Sequence, residues 1–423
     1  MPVLGIGILA VGALCYPPTP IFSAAPSTSH FMPRVVTGAE RLAEMNFSIL
    51  AGKRVGLIVN QTATVGSAHL SDLVRSAASV TLAAVFVPEH GGKGDKEAGE
   101  VVASGSEASI PTHSLYGETR KPTRQMLRNV DVLVFDMQDI GVRFYTFIST
   151  MGLAMQAAAE AGIPFVVLDR PNPLGGQYVS GFVTEQTQIS FVGQYPIPAV
   201  HGLTVGELAK LIKGQRLLPG LENLQLEVIA MQGWERWMRW PDTQLAWQRT
   251  SPNIVDFETA LVYAGVGLFE ATSVSDGRGT AAPFTQLGAP WVDGSELARK
   301  LNLVGLPGVR FEPTRFTPRA IEGVASKPAL QDQTIEGIRI AVTDHEAYLP
   351  VESGVQILWA FYEHAQVRHQ KNFVARRDWL NKIAGSHRLY DMLTGGVPPE
   401  KVIAAWKAET SEFDRVRGKY LLY

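Results

Sequence analysis

The chain has 423 residues, 46% of them apolar and 18% charged, with a formal net charge of −2. This is the composition of a globular chain long enough for two or three cored domains, and it excludes intrinsic disorder. The near-neutral charge argues against nucleic acid as a partner, and the single cysteine, Cys15, excludes a disulfide framework or a thiolate metal cage.

Residues 1–30 read as a secretory signal peptide and linker. The apolar run at 3–16 is too short to span a bilayer alone. Pro17, Pro18 and Pro20 break it, and Ser23, Ala24 and Ala25 offer small residues for cleavage, although no Lys or Arg precedes the run. The expectation is an extracytoplasmic protein, secreted or periplasmic, with no membrane span after processing.

Between 35 and 215, short apolar strands alternate with helical segments. GKRVGLIVNQ (52–61) reads as a buried strand and SAHLSDLVRSAA (67–78) as an amphipathic helix. TLAAVFVP is the second strand, and helical RQMLRNV leads to a third, DVLVFDMQD (131–139). Residues 143–162 form a long helix stopped by Gly162, and IPFVVLD (163–169) is the fourth strand. This alternation predicts βαβ units: an α/β, Rossmann-like domain with a mainly parallel sheet. PNPLGG (171–176) interrupts the pattern and HGLTVGELAKLIKG (201–214) resumes it as a helix. Its Thr204 and Glu207 make a capping box, which assigns Glu207 to the cap and not to chemistry. A smaller C-terminal α/β domain spans 220–423, with LQLEVIAM and TIEGIRIAVTD as strands and ESGVQILWAFYEHA as a helix.

In an open parallel sheet, ligands sit beyond the carboxyl ends of the strands. Four predicted strands end in polar residues here: Asn60-Gln61, Glu89-His90, Asp136 with Gln138 and Asp139, and Asp169-Arg170. The long loops after Glu89 and Arg170 fit a functional cleft. Standard chemistries drop out. There is no phosphate loop, no G-x-S-x-G elbow and no H-E-x-x-H pair, and Glu97 stands where a dinucleotide fingerprint needs glycine.

FVPEHGGKGDKEAGE (86–100) holds the strongest candidate. Glu89 follows apolar strand residues, a setting that suits a general acid, and the glycines behind it let backbone approach a ligand. The plainer reading is a solvated loop acid. His90 orients Glu89, bonds a ligand or is structural. Asp95, Glu97 and Glu100 read as a solvated face or as hydrogen-bond partners within the loop.

A second cluster is Asp136, Gln138, Asp139, Arg143 and Tyr145, between a strand and a helix. Arg143 either clamps a carboxylate or pairs with Asp136 or Asp139, and Tyr145 faces either site or core. Trp234, Trp237, Trp240 and Trp247 are either a sugar-stacking platform or one face of a core helix. Downstream lie Asn253, Glu258, Glu270 and a glycine-flanked Arg278, a plausible ligand contact.

FVPEHGGKGDKEAGE, SLYGETRKPT, DVLVFDMQDIGVRFYTFISTMG, LDRPNPLGG, YPIPAVHGLTVGELA, SPNIVDFETALVYAGVGLFEATSVSDGRG and the closing YLLY follow one another over residues 40–423. Together they resemble the DUF1343 family of NamZ-type exo-β-N-acetylmuramidases. Gly92, Ala264 and Asp276 depart from the family pattern, which bears on substrate contacts more than on fold. The resemblance implies a Rossmann-like domain, a smaller C-terminal domain and a cleft between them. It implies removal of N-acetylmuramic acid (MurNAc) from the non-reducing end of peptidoglycan fragments, with no cofactor. It makes Glu89 the catalytic acid, with His90 and Tyr145 as further catalytic candidates.

The group opposite Glu89 is Asp136, Asp139, Tyr145 or the substrate's own acetamido group, and the lactyl carboxylate of muramic acid calls for Arg143 or Arg278. Asp136, Gln138, Asp139, Arg143, His201, Asn253, Glu270 and Arg278 form the expected substrate-binding set. Two rivals stand. One is a metal-dependent phosphoesterase or deacetylase with Glu89, His90, Asp136 and His201 as ligands. The other is a non-catalytic peptidoglycan-binding protein that uses the tryptophans.

Overall fold

A computed structural model of the protein describes residues 34–107 and 110–423. The expected signal segment at 1–30 lies outside the described residues.

Helix α1 (Gly38–Glu44) opens the fold from a capping box made by Thr37 and Glu40. There follow β1 (Arg54–Val59), a small hairpin of β2 (Thr64–Val65) and β3 (Ala68–His69), α2 (Leu70–Ser76), β4 (Thr81–Val87), β5 (Gly105–Glu107) and β6 (Ile110–Ser114). Next come β7 (Val132–Asp136), α3 (Phe147–Ala161), β8 (Phe165–Leu168), α4 (Val205–Gly214) and β9 (Leu226–Ile229). Seven of these strands pair in the order β5-β6-β4-β1-β7-β8-β9. Only β5 runs antiparallel to its neighbour. Without β5, the parallel strands lie in the succession third, second, first, fourth, fifth, sixth, which is the doubly wound order of Rossmann folds.

Period-two burial explains why these runs are strands. Val55, Leu57, Val59, Val132 and Val134 belong to the core under α1 and α2, while Ile58, Leu133 and Phe135 belong to the larger core under α3 and α4. A strand buried on both faces is apolar along its length, as Val132–Phe135 of β7 are; the buried Asp136 at its end is paired with Arg170.

Four expected elements differ. RQMLRNV forms turns rather than a helix, being too short to sustain one without an apolar face to pack. The helix expected from 67 begins at Leu70, because 64–69 form the hairpin and His69 Nδ1 caps the helix by accepting the Ser71 N–H. The helix expected from 143 begins at Phe147, since the Arg143 N–H is taken by the Ala199 carbonyl at 2.8 Å. LQLEVIAM, grouped by sequence with the C-terminal part, supplies β9 at the edge of the large sheet, parallel to β8.

The C-terminal part holds α5 (Phe257–Val266), β10 (Gln286–Ala289), α6 (Gly294–Val304), β11 (Val309–Phe316), β12 (Ile335–Val342), α7 (Pro350–Val367) and α8 (Arg377–Ala384). It ends in α9 (Arg388–Thr394), α10 (Pro399–Ala405) and α11 (Lys407–Arg417). Its sheet is antiparallel, in the order β10-β12-β11. Helices α5 and α7 cross in close contact at Gly265 and Gly354: a Cβ on Gly265 would lie 1.9 Å from the Pro350 carbonyl oxygen. The chain end returns to the large sheet. Tyr423 Oη donates to Asp169 at 2.7 Å, and Leu422 N–H donates to Glu207 at 2.9 Å. Glu207 therefore serves the helix cap and the C-terminus together. Among the described residues no helix is long and apolar enough to cross a membrane.

Candidate active site

β4 stops at Val87 because Pro88 has no N–H to continue the ladder. The next residues turn sharply: His90 and Gly91 both take left-handed backbone, with φ of 69° and 74°. The loop then folds back on its own start. Gly99 N–H donates to Glu89 Oε1 at 2.9 Å, and Thr146 Oγ1, just ahead of α3, donates to Oε2 at 2.7 Å. The Tyr116 hydroxyl faces the same carboxylate, and its pKa is raised, by burial first and then by the charge of Glu89. Glu89 is half-buried and lines a cavity of about 560 Å³, within the range of sites for small molecules.

His90 braces this loop. Its Nδ1 lies 2.7 Å from the Lys96 carbonyl oxygen, and a carbonyl only accepts, so Nδ1 carries the hydrogen. Burial pushes the imidazole pKa below its ordinary value and favours the neutral ring.

The far wall comes from the C-terminal half. Arg278, in the turn between Gly277 and Gly279, donates to Asp276 at 2.5 Å and to Glu270 at 2.7 Å. Burial opposes its charge, but the two acids overcome that and hold its pKa above the ordinary value. Tyr263 Oη donates to the same Glu270 oxygen at 3.2 Å. Asn253 Nδ2 reaches the Val324 carbonyl at 2.8 Å, and Tyr145 Oη donates to Thr250 at 2.8 Å. Arg376 and Lys327 also line the cavity, and neither forms an ion pair among the described residues. Arg376 is held by its N–H to the Ala271 carbonyl at 3.0 Å, by its guanidinium on the Glu270 carbonyl, and by stacking over Trp379.

Of the expected residues, the cavity gathers Glu89, His90, Tyr145, Asn253, Glu270 and Arg278. Asp136, Gln138, Asp139, Arg143 and His201 do not line it. The crevice where the strand order reverses, between the ends of β1 and β7, is packed with the protein's own side chains. Asp136 is paired with Arg170 at 2.5 Å, both buried. Gln138 Nε2 donates to the carbonyls of Asp139 and Pro171, and its N–H is held by Thr62. Asp139 accepts from Gly141 N–H at 2.7 Å, and burial pushes its pKa up to about 7.

Arg143 makes neither of its expected partners. It is fully buried and donates to the carbonyls of Phe182, Ile197 and Ile383 at 2.7–2.9 Å, with burial pushing its pKa down to about 9. His201 is buried against the Leu203 N–H, and burial pushes its pKa down to about 3. The four side chains of the metal reading are thus not brought together. Among the described residues no group of three or more His, Cys, Asp or Glu is placed to hold a metal ion.

The tryptophan segment is neither a sugar platform nor a core helix. It is irregular apart from one turn at Trp240–Thr243. Trp234 packs on Tyr423, Trp240 on Trp247, and the exposed Trp237 bonds Glu235; none lines the cavity. Glu258 is half-buried on α5, away from the cavity. The residues missed by sequence reading are Tyr116, Thr146, Tyr263, Arg376 and Lys327. Tyr116 and Tyr263 lie inside motif blocks already singled out, and Thr146 is next to Tyr145. For Arg376 and Lys327 no local signal exists.

A carboxyl group held on the wall of a sugar-sized cavity, faced by aromatic and cationic side chains, is the layout of a glycoside hydrolase built on a Rossmann-like sheet. Residues 55–258 match the N-terminal domain of the family described as exo-β-N-acetylmuramidase NamZ, and residues 261–423 match its C-terminal domain. The chain is similar to the peptidoglycan β-N-acetylmuramidase NamZ of Bacillus subtilis strain 168, at 40% identity over 92% of each chain. Two DUF1343 family crystal structures from Bacteroides fragilis NCTC 9343 share the fold. One has a TM-score of 0.85 at 37% identity and the other 0.75 at 30%; each match covers 92% of this chain and 99% of the other. The chain belongs to the NamZ exo-β-N-acetylmuramidase family.

Proposed function

We propose that the protein is an exo-acting β-N-acetylmuramidase of the cell wall, working outside the cytoplasm. It hydrolyses terminal non-reducing MurNAc from peptidoglycan fragments such as MurNAc-GlcNAc, where GlcNAc is N-acetylglucosamine. The observation that carries this reading is Glu89, fixed through both oxygens on the cavity wall by Thr146 and Gly99. In the protonated form it donates to the glycosidic oxygen as the bond to the anomeric carbon breaks. Asp136 and Asp139 are buried among internal partners, and Glu270 and Asp276 are held by Arg278. That leaves Tyr145 or the substrate's acetamido oxygen to attend the anomeric carbon before water adds.

The lactyl carboxylate that distinguishes MurNAc from GlcNAc needs a cation. Arg143 is enclosed by carbonyls and Arg278 is matched by two acids. The unpaired cations on the cavity wall, Arg376 and Lys327, suit the role better.

The test is incubation of the protein with MurNAc-GlcNAc and detection of free MurNAc, with Glu89→Gln alongside. Release by the wild type and a loss of about 10²–10⁴-fold in the variant is the expected result. No release, or equal release by both, overturns the reading.

A further inference from the structure

Glu97 lies two residues before Gly99, whose N–H holds Glu89. Its carboxylate does not pair with a nearby lysine. Instead Oε1 accepts the Ser326 N–H and Oε2 accepts the Ser326 hydroxyl, both at 2.9 Å, across 229 residues of sequence. Ser326 belongs to a cavity-lining loop of the C-terminal half. That loop is closed by reciprocal bonds between Ile321 and Ala325 at 2.8–2.9 Å and anchored by Asn253 on the Val324 carbonyl.

The loop that carries Glu97 includes Gly91, Gly92, Gly94 and Gly99, so its backbone has a large conformational freedom to lose. Its internal ties include the His90 bond to Lys96, the Lys96–Glu100 pair, the Glu100 bond to the Glu97 N–H, and backbone bonds from Lys96 to His90 and from Glu100 to Glu97. Among the described residues, the two bonds to Ser326 are the side-chain hydrogen bonds that tie it to the opposite half.

We infer that Glu97 is a positioning residue. Its clasp on Ser326 joins the two halves across the mouth of the cavity and holds Gly99 N–H on the Glu89 carboxylate. The inference rests on Glu89 being the acid of the proposed reaction. The clasp thereby restricts Glu89 to one orientation, and small losses of alignment at a reacting group reduce rate sharply.

Four variants and two readouts test this: Glu97→Ala, Glu97→Gln, Ser326→Ala and the Glu97→Ala/Ser326→Ala double. The clasp lies at the surface, so all four keep the wild-type Tm. For MurNAc-GlcNAc, Glu97→Ala loses about tenfold in kcat with KM little changed, and the double is no worse, because the two changes remove one interaction. Glu97→Gln stays within about twofold of wild type, since an amide can accept the Ser326 N–H and donate to its hydroxyl. Hydrogen exchange of residues 96–100 and 323–327 speeds up together in Glu97→Ala. Wild-type kcat in Glu97→Ala overturns the inference, as does equal impairment in Glu97→Gln or faster exchange in only one of the two loops. If the wild-type protein releases no MurNAc, the proposed reaction fails, and the exchange measurement still decides the clasp.

Discussion

Strands β4 and β7 lie in the same sheet, each beside β1, and both end in acidic residues. At the end of β4, Glu89 meets one backbone N–H, two side-chain hydroxyls and open cavity. At the end of β7 the charged groups lie enclosed in the fold, although Asp139 Oδ1 and Arg143 Nε have no hydrogen-bond partner among the described residues. Asp136 has Arg170, Asp139 has the Gly141 N–H, and Arg143 has three carbonyls. Polar residues beyond a strand therefore do not by themselves mark a ligand site. What separates the two ends is enclosure: the β7 groups are buried among the protein's own atoms, whereas Glu89 opens on a cavity that a ligand can enter.

The contrast is sharpest in a pair of substitutions. Glu89→Gln should remove activity, as stated above, with the Tm unchanged. Arg143→Met should do the reverse. It strands three interior carbonyls and should destabilise the protein in urea unfolding, at roughly 1–3 kcal/mol for each buried acceptor left without a donor. The folded fraction should keep a near-normal kcat. Loss of kcat in Arg143→Met at unchanged stability would move the β7 end into the active site and erase the distinction.

A smaller effect is expected at the cavity rim. Arg376→Ala should raise KM for MurNAc-GlcNAc by about tenfold, the scale of one charge-assisted hydrogen bond. On a GlcNAc-GlcNAc control, which has no carboxylate, the variant and the wild type should behave alike. Equal losses on both substrates would show that Arg376 supports the wall and does not read the lactyl group.

The same contrast explains what sequence could and could not tell. The parallel strands were legible because each is a short apolar run buried on alternate faces. Glu89 was legible because an acid and several glycines follow such a run immediately. Arg143 was not. Its partners are carbonyls 39, 54 and 240 residues away, and backbone carbonyls have no signature in side-chain sequence. For the tryptophans, the spacing of three left a helix face and a sugar platform both open, and the segment packs instead as irregular chain, with Trp234 on Tyr423 and Trp240 on Trp247. Arg376 and Ser326 reach the site only through folding of the C-terminal half, so nothing local distinguishes them.

The smallest expected effect separates the two strand ends by pH. Asp139 ionises near 3.8 in an unfolded chain, but burial raises its pKa to about 7 in the fold. Between those values the folded state binds more protons than the unfolded one, so stability falls as pH rises through the window and levels off above it. Asp169, raised by burial to about 6, adds a slope of the same sign over the lower part of that range. An amide at 139 can still accept the Gly141 N–H and cannot ionise. Asp139→Asn should therefore lose less stability than wild type between pH 5 and pH 8, by a few degrees in Tm, with the Asp169 slope remaining. Its kcat should be unaffected, because Asp139 does not line the cavity. Parallel melting curves for the two proteins would mean that Asp139 is already ionised in the fold, and that the β7 end is less completely closed to water than its hydrogen bonds indicate.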